Sequence, residues 1–169
     1  MTTRDGRQFC REVYEAAKAG DISPLFITAQ ACLETGWGQY RIGNNIFGIT
    51  KGSTWAGDTV LATTTEYFAN NRVTFKSPEQ VISITKLAPK KYKYRVKRLF
   101  RSYKTLSECI IDHEQLFKKR IYADAWEYRN NPKEFARRIS DNVGGKYATA
   151  PDYARVMAAM IDSVEREIK

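Results

Sequence analysis

Apolar residues recur at helical spacing in several stretches of this chain, and one stretch between them follows a strand pattern instead. In residues 3–19 they include Phe9, Val13, Ala16 and Ala17, the spacing that places side chains on one face of a helix. Similar spacing, together with capping residues, predicts helices over residues 3–19, 23–34 and 122–128, from Thr105, from Asn131, and over 151–168. Most of the chain is therefore predicted to be helical.

The strand pattern lies within residues 45–76, where glycines interrupt the chain. Residues 59–68, TVLATTTEYF, are rich in β-branched and aromatic side chains and predict a strand. The pair Asn70-Asn71 predicts a tight turn, and residues 72–76 a returning strand. Residues 77–85 are expected to form a short helix behind Ser77-Pro78-Glu79. Helices around a small β excursion predict an α+β fold.

A single carboxylate stands where the second helix should end. Glu34 follows the apolar residue Leu33, and Gly36, Trp37 and Gly38 come directly after it. Removing a carboxylate from water raises its pKa, because the charged form loses solvation. A carboxyl group that stays protonated near neutral pH can act as a general acid on a leaving oxygen. Glu34 is therefore a candidate acid, with a solvated residue near a helix end as the alternative.

The net charge and the cysteine content limit which binding partners and which metal or disulfide sites the sequence can have. The formal net charge of +9 predicts an acidic partner, either nucleic acid or an anionic polymer. Three cysteines without paired spacing argue against a disulfide framework and a zinc site, and predict buried free thiols. No apolar run is long enough to span a membrane. The N-terminal residues lack a secretory signal pattern, so export by another route or trimming is expected.

Six segments, in order along the chain, resemble the glucosaminidase family of the flagellar muramidase domain and bacterial autolysins, glycoside hydrolase family 73. They are CLETGWG, GNNIFGITKG, WAG at residues 55–57, TTTEY at 63–67, FRSY…SECI…DH at 100–113, and GKYATAPDYA at 145–154. The resemblance covers most of residues 25–165. It implies a lysozyme-like fold, in which a helical lobe and a small β-hairpin lobe face each other across a substrate groove.

The same resemblance assigns the domain and its activity. It implies a single domain over residues 1–169, with a β lobe at about 45–76 and a basic insertion at about 77–98. The implied activity is that of an endo-β-N-acetylglucosaminidase that cleaves the β-1,4 bond between N-acetylglucosamine and N-acetylmuramic acid in peptidoglycan. An N-acetylmuramidase or lytic transglycosylase on the same fold, or a non-catalytic wall-binding or nucleic-acid-binding module, are the alternatives.

Three residues carry the implied catalytic roles. Glu34 matches the family's general acid. Glu66 matches its second glutamate, which acts as a base on water or as an electrostatic partner, unless the substrate's own acetamido group attacks. Tyr147 matches a family tyrosine near the acid, although Ala150 stands where the family commonly has aspartate. No cofactor and no metal ligand set are expected.

Several aromatic side chains and one amide are candidates for sugar binding, with core packing as the alternative for each aromatic. Pyranose rings present apolar faces on which aromatic rings stack. The candidates are Trp37, Asn45, Phe47, Trp55, Tyr67 and Tyr153. His113 is the single histidine, and its place between apolar neighbours predicts a packed structural residue rather than a nucleophilic site.

A strongly basic stretch, residues 86–98, interleaves lysines and arginines with aromatics. Its composition resembles a nucleic-acid patch, but a solvated face that holds an anionic cell wall is the preferred interpretation, and nucleic acid is not the expected partner. The chain is expected to be a monomer that acts on glycan strands of the bacterial wall, in the periplasm or outside the cell. Phage, flagellar and autolysin contexts all remain open.

Overall fold

A computed structural model describes residues 3–141 and 152–169. It divides into two compact units, a helical unit of Met1–Phe47 with Tyr103–Lys169 and a β unit of Gly48–Ser102. Helices and one antiparallel sheet together confirm the predicted α+β class. Within the described residues, every helix is too short or too polar to cross a membrane.

The helical unit follows the predicted pattern closely. Its elements are α1 (Arg4–Ala17), α2 (Pro24–Thr35), α3 (Leu106–Phe117), a 3-10 turn (Arg120–Tyr122), α4 (Ala123–Trp126), α5 (Pro132–Asp141) and α6 (Tyr153–Ile168). Each α-helix lies within a few residues of its predicted position, whereas the 3-10 turn was not predicted. Spacing of apolar residues and cap chemistry were therefore sufficient to locate them.

Local side chains explain where the helices begin. Thr3 Oγ1 accepts a hydrogen bond from Gly6 N at the start of α1, at 3.1 Å. Thr105 Oγ1 accepts one from Glu108 N at the start of α3, at 3.2 Å. The Glu108 carboxylate accepts from Lys104 N rather than from the Thr105 amide of a standard capping box. These bonds satisfy amide groups that have no partner inside the helix.

Helix α2 lies at the centre of the helical unit, packed against α1, α5 and α6. Its residues from Phe26 to Cys32 are all buried, which explains why this helix is apolar around its circumference. The Phe26 ring makes edge-to-face contacts with Phe117 and Phe135, at 6.0 and 4.7 Å between centroids. The aromatic cluster fixes α2 against α3 and α5.

All three cysteines are free and buried, as the sequence predicts. Cys10 on α1 and Cys32 on α2 hydrogen-bond to each other. Burial raises the pKa of the Cys109 thiol to about 12. Cys109 is therefore a neutral packing residue at physiological pH.

The β unit is an antiparallel sheet of β1 (Thr59–Phe68), β2 (Gln80–Ala88) and β3 (Lys91–Arg101). The strand order is β1-β3-β2, so β3 is central. The predicted strand at 59–68 is confirmed, and Glu66 lies directly opposite Tyr94. Tyr94 and Val96 are fully buried, whereas alternate residues of β3 face solvent. One face of the sheet is thus covered by the β unit itself.

The predicted hairpin of residues 59–76 is wrong. Strand β1 pairs with β3, and residues 72–76 form no strand. Asn70 does make a local turn, since its Oδ1 accepts from Arg72 N at 2.9 Å. The chain then folds over the covered face of the sheet, where Tyr94 Oη donates to Asn70 O at 2.7 Å and Phe75 packs against Phe68. Packing of the half-buried Phe75 against Phe68 takes the place of strand pairing in this segment.

The predicted helix at 77–85 is also wrong, because residues 80–88 form β2. Residues 81–85, VISIT, are β-branched apart from one serine, and this composition favours a strand. The β unit consequently extends over Gly48–Ser102 rather than about 45–76. Residues 77–98 supply β2 and most of β3, so they are structural in this lobe. Whether they are an insertion relative to the family stays a prediction.

Candidate active site

Glu34 lies in the last turn of α2, immediately before the helix ends. Its side chain reaches solvent, but the protein atoms around it remove part of its hydration, and this burial raises the pKa of the carboxyl group. The C-terminal end of a helix also disfavours negative charge. Glu34 is thus accessible and biased toward the protonated form, the two properties that a general acid requires.

A tight turn follows Glu34 and sets the position of Trp37. Gly36 ends α2 in the left-handed conformation, with φ of 57°, which favours glycine. Thr35 Oγ1 accepts from Gly38 N at 2.8 Å. A Cβ on Gly38 would meet the Phe9 ring at 2.7 Å. The TGWG sequence is therefore explained by backbone geometry and by close packing against α1.

The half-buried Trp37 lines a cavity of about 760 Å³. The other residues of this cavity come from the N-terminal half of α1 and from the turn after α2, and include Phe9, Glu12 and Arg41. All belong to the helical unit. Glu34 is not among the residues that line this cavity, so the predicted sugar contact of Trp37 stays a prediction.

A buried polar chain, which the sequence analysis missed, runs through the helical unit. His113 Nε2 lies 2.7 Å from Gln30 Oε1, and Gln30 Nε2 donates to Tyr153 Oη at 3.1 Å. Burial lowers the pKa of His113 to about 3. Burial raises the pKa of Tyr153, and the Glu34 charge adds to this effect. A polar Gln30 inside an apolar helix was the available signal, because buried amides require partners.

The buried polar chain of His113, Gln30 and Tyr153 bears on three of the predictions made from the sequence. His113 is a packed neutral histidine, as expected. Phe47 stacks on its imidazole at 3.8 Å between centroids, and is half-buried. Tyr153 is only 6% exposed, so its ring belongs to the core and its hydroxyl to the polar chain. The effect of the Glu34 charge on the pKa of Tyr153 is the feature that connects this tyrosine to the candidate acid.

Asn45 is buried in the turn that precedes Phe47. Its backbone forms a bridge with Ile42, with Asn45 N donating to Ile42 O at 2.9 Å. The neighbouring Asn44 side chain donates to the carbonyls of Tyr103 and Lys104. Both asparagines therefore contribute to the turn. The predicted sugar contact of Asn45 stays a prediction.

In the β unit, Glu66 belongs to a network of two carboxylates around one guanidinium. Arg98 Nη1 donates to Glu66 Oε1 at 2.5 Å, and Arg98 Nε donates to Glu79 Oε2 at 2.6 Å. Glu79 also accepts from Leu99 N at 3.0 Å. The side chains of Glu66 and Arg98 are each about one-quarter exposed. Glu66 is thus a partly accessible negative charge in a fixed position.

The remaining predicted residues of the β unit lie apart from this network. Trp55 is half-buried, its Nε1 donates to Asp58 O at 2.8 Å, and the Arg101 guanidinium covers its ring at 4.9 Å. Tyr67 is 58% exposed, and Lys91 lies 5.7 Å from its ring centroid. Glu66 and Tyr67 face opposite sides of β1, as the alternation of a strand predicts.

Tyr147 lies outside the described residues, so its predicted role stays a prediction. Across residues 3–141 and 152–169, no group of three or more histidine, cysteine or acidic side chains is arranged to hold a metal ion. The described geometry instead offers carboxyl groups in two different environments. Glu34 is biased toward the neutral acid, whereas Glu66 is held in a salt bridge. Such a difference is the usual basis of acid–base division in hydrolysis.

The sequence profile of one known family matches residues 10–166. Its description is glucosaminidase, mannosyl-glycoprotein endo-β-N-acetylglucosaminidase. The match spans nearly the whole chain and includes Glu34, Glu66 and the polar chain of the helical unit.

Among characterised proteins, the peptidoglycan hydrolase FlgJ of Pseudomonas aeruginosa is 29% identical over 152 residues, 85% of this chain and 32% of that protein. The protein of the same name from Vibrio parahaemolyticus is 28% identical over 89% of this chain and 44% of its own length. The chain therefore spans between a third and a half of these relatives.

Solved structures agree with this similarity. A C-terminally truncated glycoside hydrolase domain of Salmonella typhimurium FlgJ has a TM-score of 0.69 and 27% identity, covering 95% of this chain and 98% of that one. The catalytic domain of the Listeria monocytogenes autolysin Auto has a TM-score of 0.65 and 21% identity, covering 99% and 89%. The second likeness supports the fold alone, and both agree with the lysozyme-like prediction.

Proposed function

Because this chain belongs to the glucosaminidase family, we propose that it is a peptidoglycan hydrolase, an endo-β-N-acetylglucosaminidase of the bacterial cell wall. The family description names an endo-β-N-acetylglucosaminidase, and we infer from that activity that the bond cleaved is on the reducing side of N-acetylglucosamine. The printed name of the FlgJ relatives supplies the polymer. The proposed reaction is hydrolysis of the β-1,4 bond from N-acetylglucosamine to N-acetylmuramic acid.

The observation that carries this proposal is the state of Glu34. Its carboxyl group is accessible, and burial raises its pKa. In the proposed reaction Glu34 donates its proton to the glycosidic oxygen as the bond breaks, so that the leaving sugar departs as a neutral alcohol. General acid catalysis of this kind contributes about 10²–10⁴-fold to the rate.

Glu66 is proposed as the second catalytic group. Bond cleavage leaves positive charge on the sugar ring, and a carboxylate stabilises that charge or activates the attacking water. The salt bridge with Arg98 holds Glu66 in one orientation. The substrate's own acetamido group is the alternative nucleophile, and in that case Glu66 orients or stabilises it.

The accessible aromatic side chains are proposed as sugar contacts. Trp37 at its cavity, the half-buried Trp55 and the exposed Tyr67 each present ring surface. Phe47 is proposed as a pocket wall, and Tyr147 as a hydrogen-bond partner of substrate or acid. Tyr153 is proposed to act through its hydroxyl near Glu34 rather than by stacking, because its ring is buried.

The substitution Glu34→Gln tests the acid role. On purified peptidoglycan we expect kcat to fall at least about 100-fold, since glutamine has no proton to donate. Glu127→Gln is the matched control, because Glu127 is an exposed acidic residue far from Glu34 in the sequence, and no role is assigned to it. If the Glu34→Gln variant lyses purified peptidoglycan as fast as the unmodified protein, the proposal is overturned.

Product analysis tests the bond. Digested peptidoglycan should release chains that end in reducing N-acetylglucosamine. Chains that end in N-acetylmuramic acid would instead indicate muramidase action, and anhydro ends would indicate a lytic transglycosylase. Absence of any cleavage by the unmodified protein would leave a binding module as the function.

The shared guanidinium of Arg98 provides a matched pair of variants for Glu66. Glu66→Gln and Glu79→Gln each remove one carboxylate from the same cation. We expect Glu66→Gln to lower kcat by about 10-fold or more, and Glu79→Gln to retain most activity at temperatures where both are folded. Equal losses in the two variants would mean that Glu66 only supports the sheet.

A further inference from the structure

The central strand of the β unit carries a row of positive charges on one face. Lys91, Lys93, Arg95 and Lys97 alternate with Tyr92, Tyr94 and Val96, and alternate residues of a strand point to the same side. Tyr94 and Val96 are fully buried on the covered side, whereas Lys91, Arg95 and Lys97 are exposed. We call the four cations the basic face.

No carboxylate neutralises this face among the residues that the structure describes. Its strand neighbours carry hydroxyl groups, since Thr63 lies opposite Lys97 and Thr65 opposite Arg95. The single acidic residue of β1 is Glu66, which points to the other side and binds Arg98. Strands β2 and β3 contain no acidic residue. The basic face therefore projects uncompensated charge into solvent.

Several cations elsewhere in the chain are neutralised by acidic side chains. Arg98, Lys133, Arg137, Arg138 and Arg155 all pair with carboxylates, at 2.5 to 2.9 Å. None of the basic-face residues forms a salt bridge within the described part of the chain. Like charges on one face of a strand repel one another at low salt, and a bound anionic partner would relieve this repulsion.

We propose that the basic face binds the carboxylates of the peptide stems of peptidoglycan. This proposal rests on the proposed function, because it assumes that peptidoglycan is the substrate. In intact peptidoglycan the lactyl carboxyl group of N-acetylmuramic acid is tied up as an amide to the stem, so the free carboxylates of the stems are the anionic groups of the stem-bearing glycan. The face thus recognises the stems beside Tyr67, which lies opposite Lys93 and is proposed to contact a sugar.

The spacing of the cations favours an extended anionic partner over a single small ion. Alternate residues on a strand are about 6.6 Å apart, so four cations span roughly 20 Å. Each exposed pair contributes weakly, but several pairs on one polymer act together because later contacts form at high effective concentration. Binding of this kind weakens as salt screens the charges.

The substitution of Lys93, Arg95 and Lys97 by glutamine tests the proposal. In a Glu34→Gln background, which prevents digestion, the triple variant should bind purified peptidoglycan about 10-fold more weakly at low salt. The difference should shrink at high salt. Arg4→Gln, Arg11→Gln and Lys119→Gln together form the control, because these exposed cations of the helical unit change the net charge equally.

A substrate comparison separates stem binding from general charge effects. With Glu34 intact, the triple variant should show a raised KM and an unchanged kcat on whole peptidoglycan. On chains freed of their stems by an amidase, and then methyl-esterified at the lactyl carboxylates that the amidase releases, its kinetics should match those of the unmodified protein. Equal binding by the triple variant and the control would overturn the proposal, as would an equal loss on stem-free chains. Selective loss of DNA or poly(glycerol phosphate) binding alone would assign the face to that polymer instead.

Failure of this proposal can be distinguished from failure of the proposed function. If the unmodified protein cleaves nothing, the enzymatic proposal fails, while the binding comparison still decides whether the face holds peptidoglycan. If cleavage is normal and the triple variant binds and cleaves like the control, only the inference about the basic face is wrong.

Discussion

The imidazole of His113 and the side-chain amide of Gln30 meet inside the helical unit, 2.7 Å apart and both buried. Because burial lowers the pKa of His113 to about 3, the ring is neutral at physiological pH. Gln30 donates through Nε2 to Tyr153, so its oxygen faces the imidazole and accepts from Nε2–H. Gln30 therefore connects α3 to α6 and orients the hydroxyl that lies near Glu34.

Replacing Gln30 with methionine should destabilise the fold. The apolar side chain has a similar length but leaves the His113 and Tyr153 polar atoms without this partner, at a cost of about 1–3 kcal/mol. Denaturant unfolding measures the loss. In a cycle with Tyr153→Phe, we expect the two substitutions to be non-additive by about 0.5–1 kcal/mol. Gln115→Met, on the exposed side of α3, is the control and should be near neutral.

The buried histidine predicts a specific acid sensitivity. The unfolded imidazole binds a proton below its ordinary pKa of 6.5, whereas the folded one does so only near 3. Stability from this group is thus complete above pH 6.5 and is lost as the pH falls toward 3, by at most about 1.4 kcal/mol per pH unit.

Comparison with His113→Asn isolates the pH-dependent contribution of the histidine to stability, because His113 is the single histidine. The variant should be less stable at neutral pH, since it loses the stacking on Phe47. Its disadvantage should narrow between pH 6.5 and 3. If the difference in stability between the two proteins stays constant over that interval, the folded imidazole must take up its proton as readily as the unfolded one.

Glu34→Gln should raise thermal stability at neutral pH while it removes activity. Because burial raises the folded pKa of Glu34, the ionised side chain destabilises the fold at pH values above its folded pKa. Glutamine removes this penalty, and we expect a small gain in Tm, about 1–3 °C at pH 7. Below the unfolded pKa of about 4.5 the two proteins should melt together. A loss of stability at pH 7 would contradict the assignment.

Gly20, between α1 and α2, is predicted to tolerate no side chain. A Cβ at this position would lie 2.2 Å from Glu114 Oε1. The Glu114 carboxylate cannot move freely, because it is buried and accepts from Asp21 N and Ile22 N at 3.0 and 3.1 Å. Gly20→Ala should therefore cost about 1–3 kcal/mol.

The cause can be tested in the Glu114→Ala background. If the clash with Glu114 explains the loss, adding Gly20→Ala to that variant should cost much less than it does in the unmodified protein. Equal costs in both backgrounds would point to the backbone conformation of Gly20 instead. Urea unfolding of the four proteins provides the cycle.

Much of the helical unit was accessible from the sequence, because its signals are local. Apolar spacing located α1 and α6, Ser23-Pro24 and Gly36 bounded α2, and Thr105 began α3. The position of Glu34 at the end of a buried helix follows from the same pattern. Each of these features depends on residues within one or two helical turns of each other, so its signal is contained in a short stretch of sequence.

The tertiary structure decided the features that join distant residues. Strand β1 pairs with β3 rather than with residues 72–76, because the contact of Phe75 with Phe68 and the hydrogen bond of the Tyr94 hydroxyl compete with a local hairpin. Glu66 shares Arg98 with Glu79, and Gln30 joins His113 to Tyr153. Residue type and spacing alone determined the positions of the helices and the candidate acid. Strand pairing and the hydrogen-bond partners of distant side chains depended on packing, because packing acts between surfaces that are far apart in the sequence.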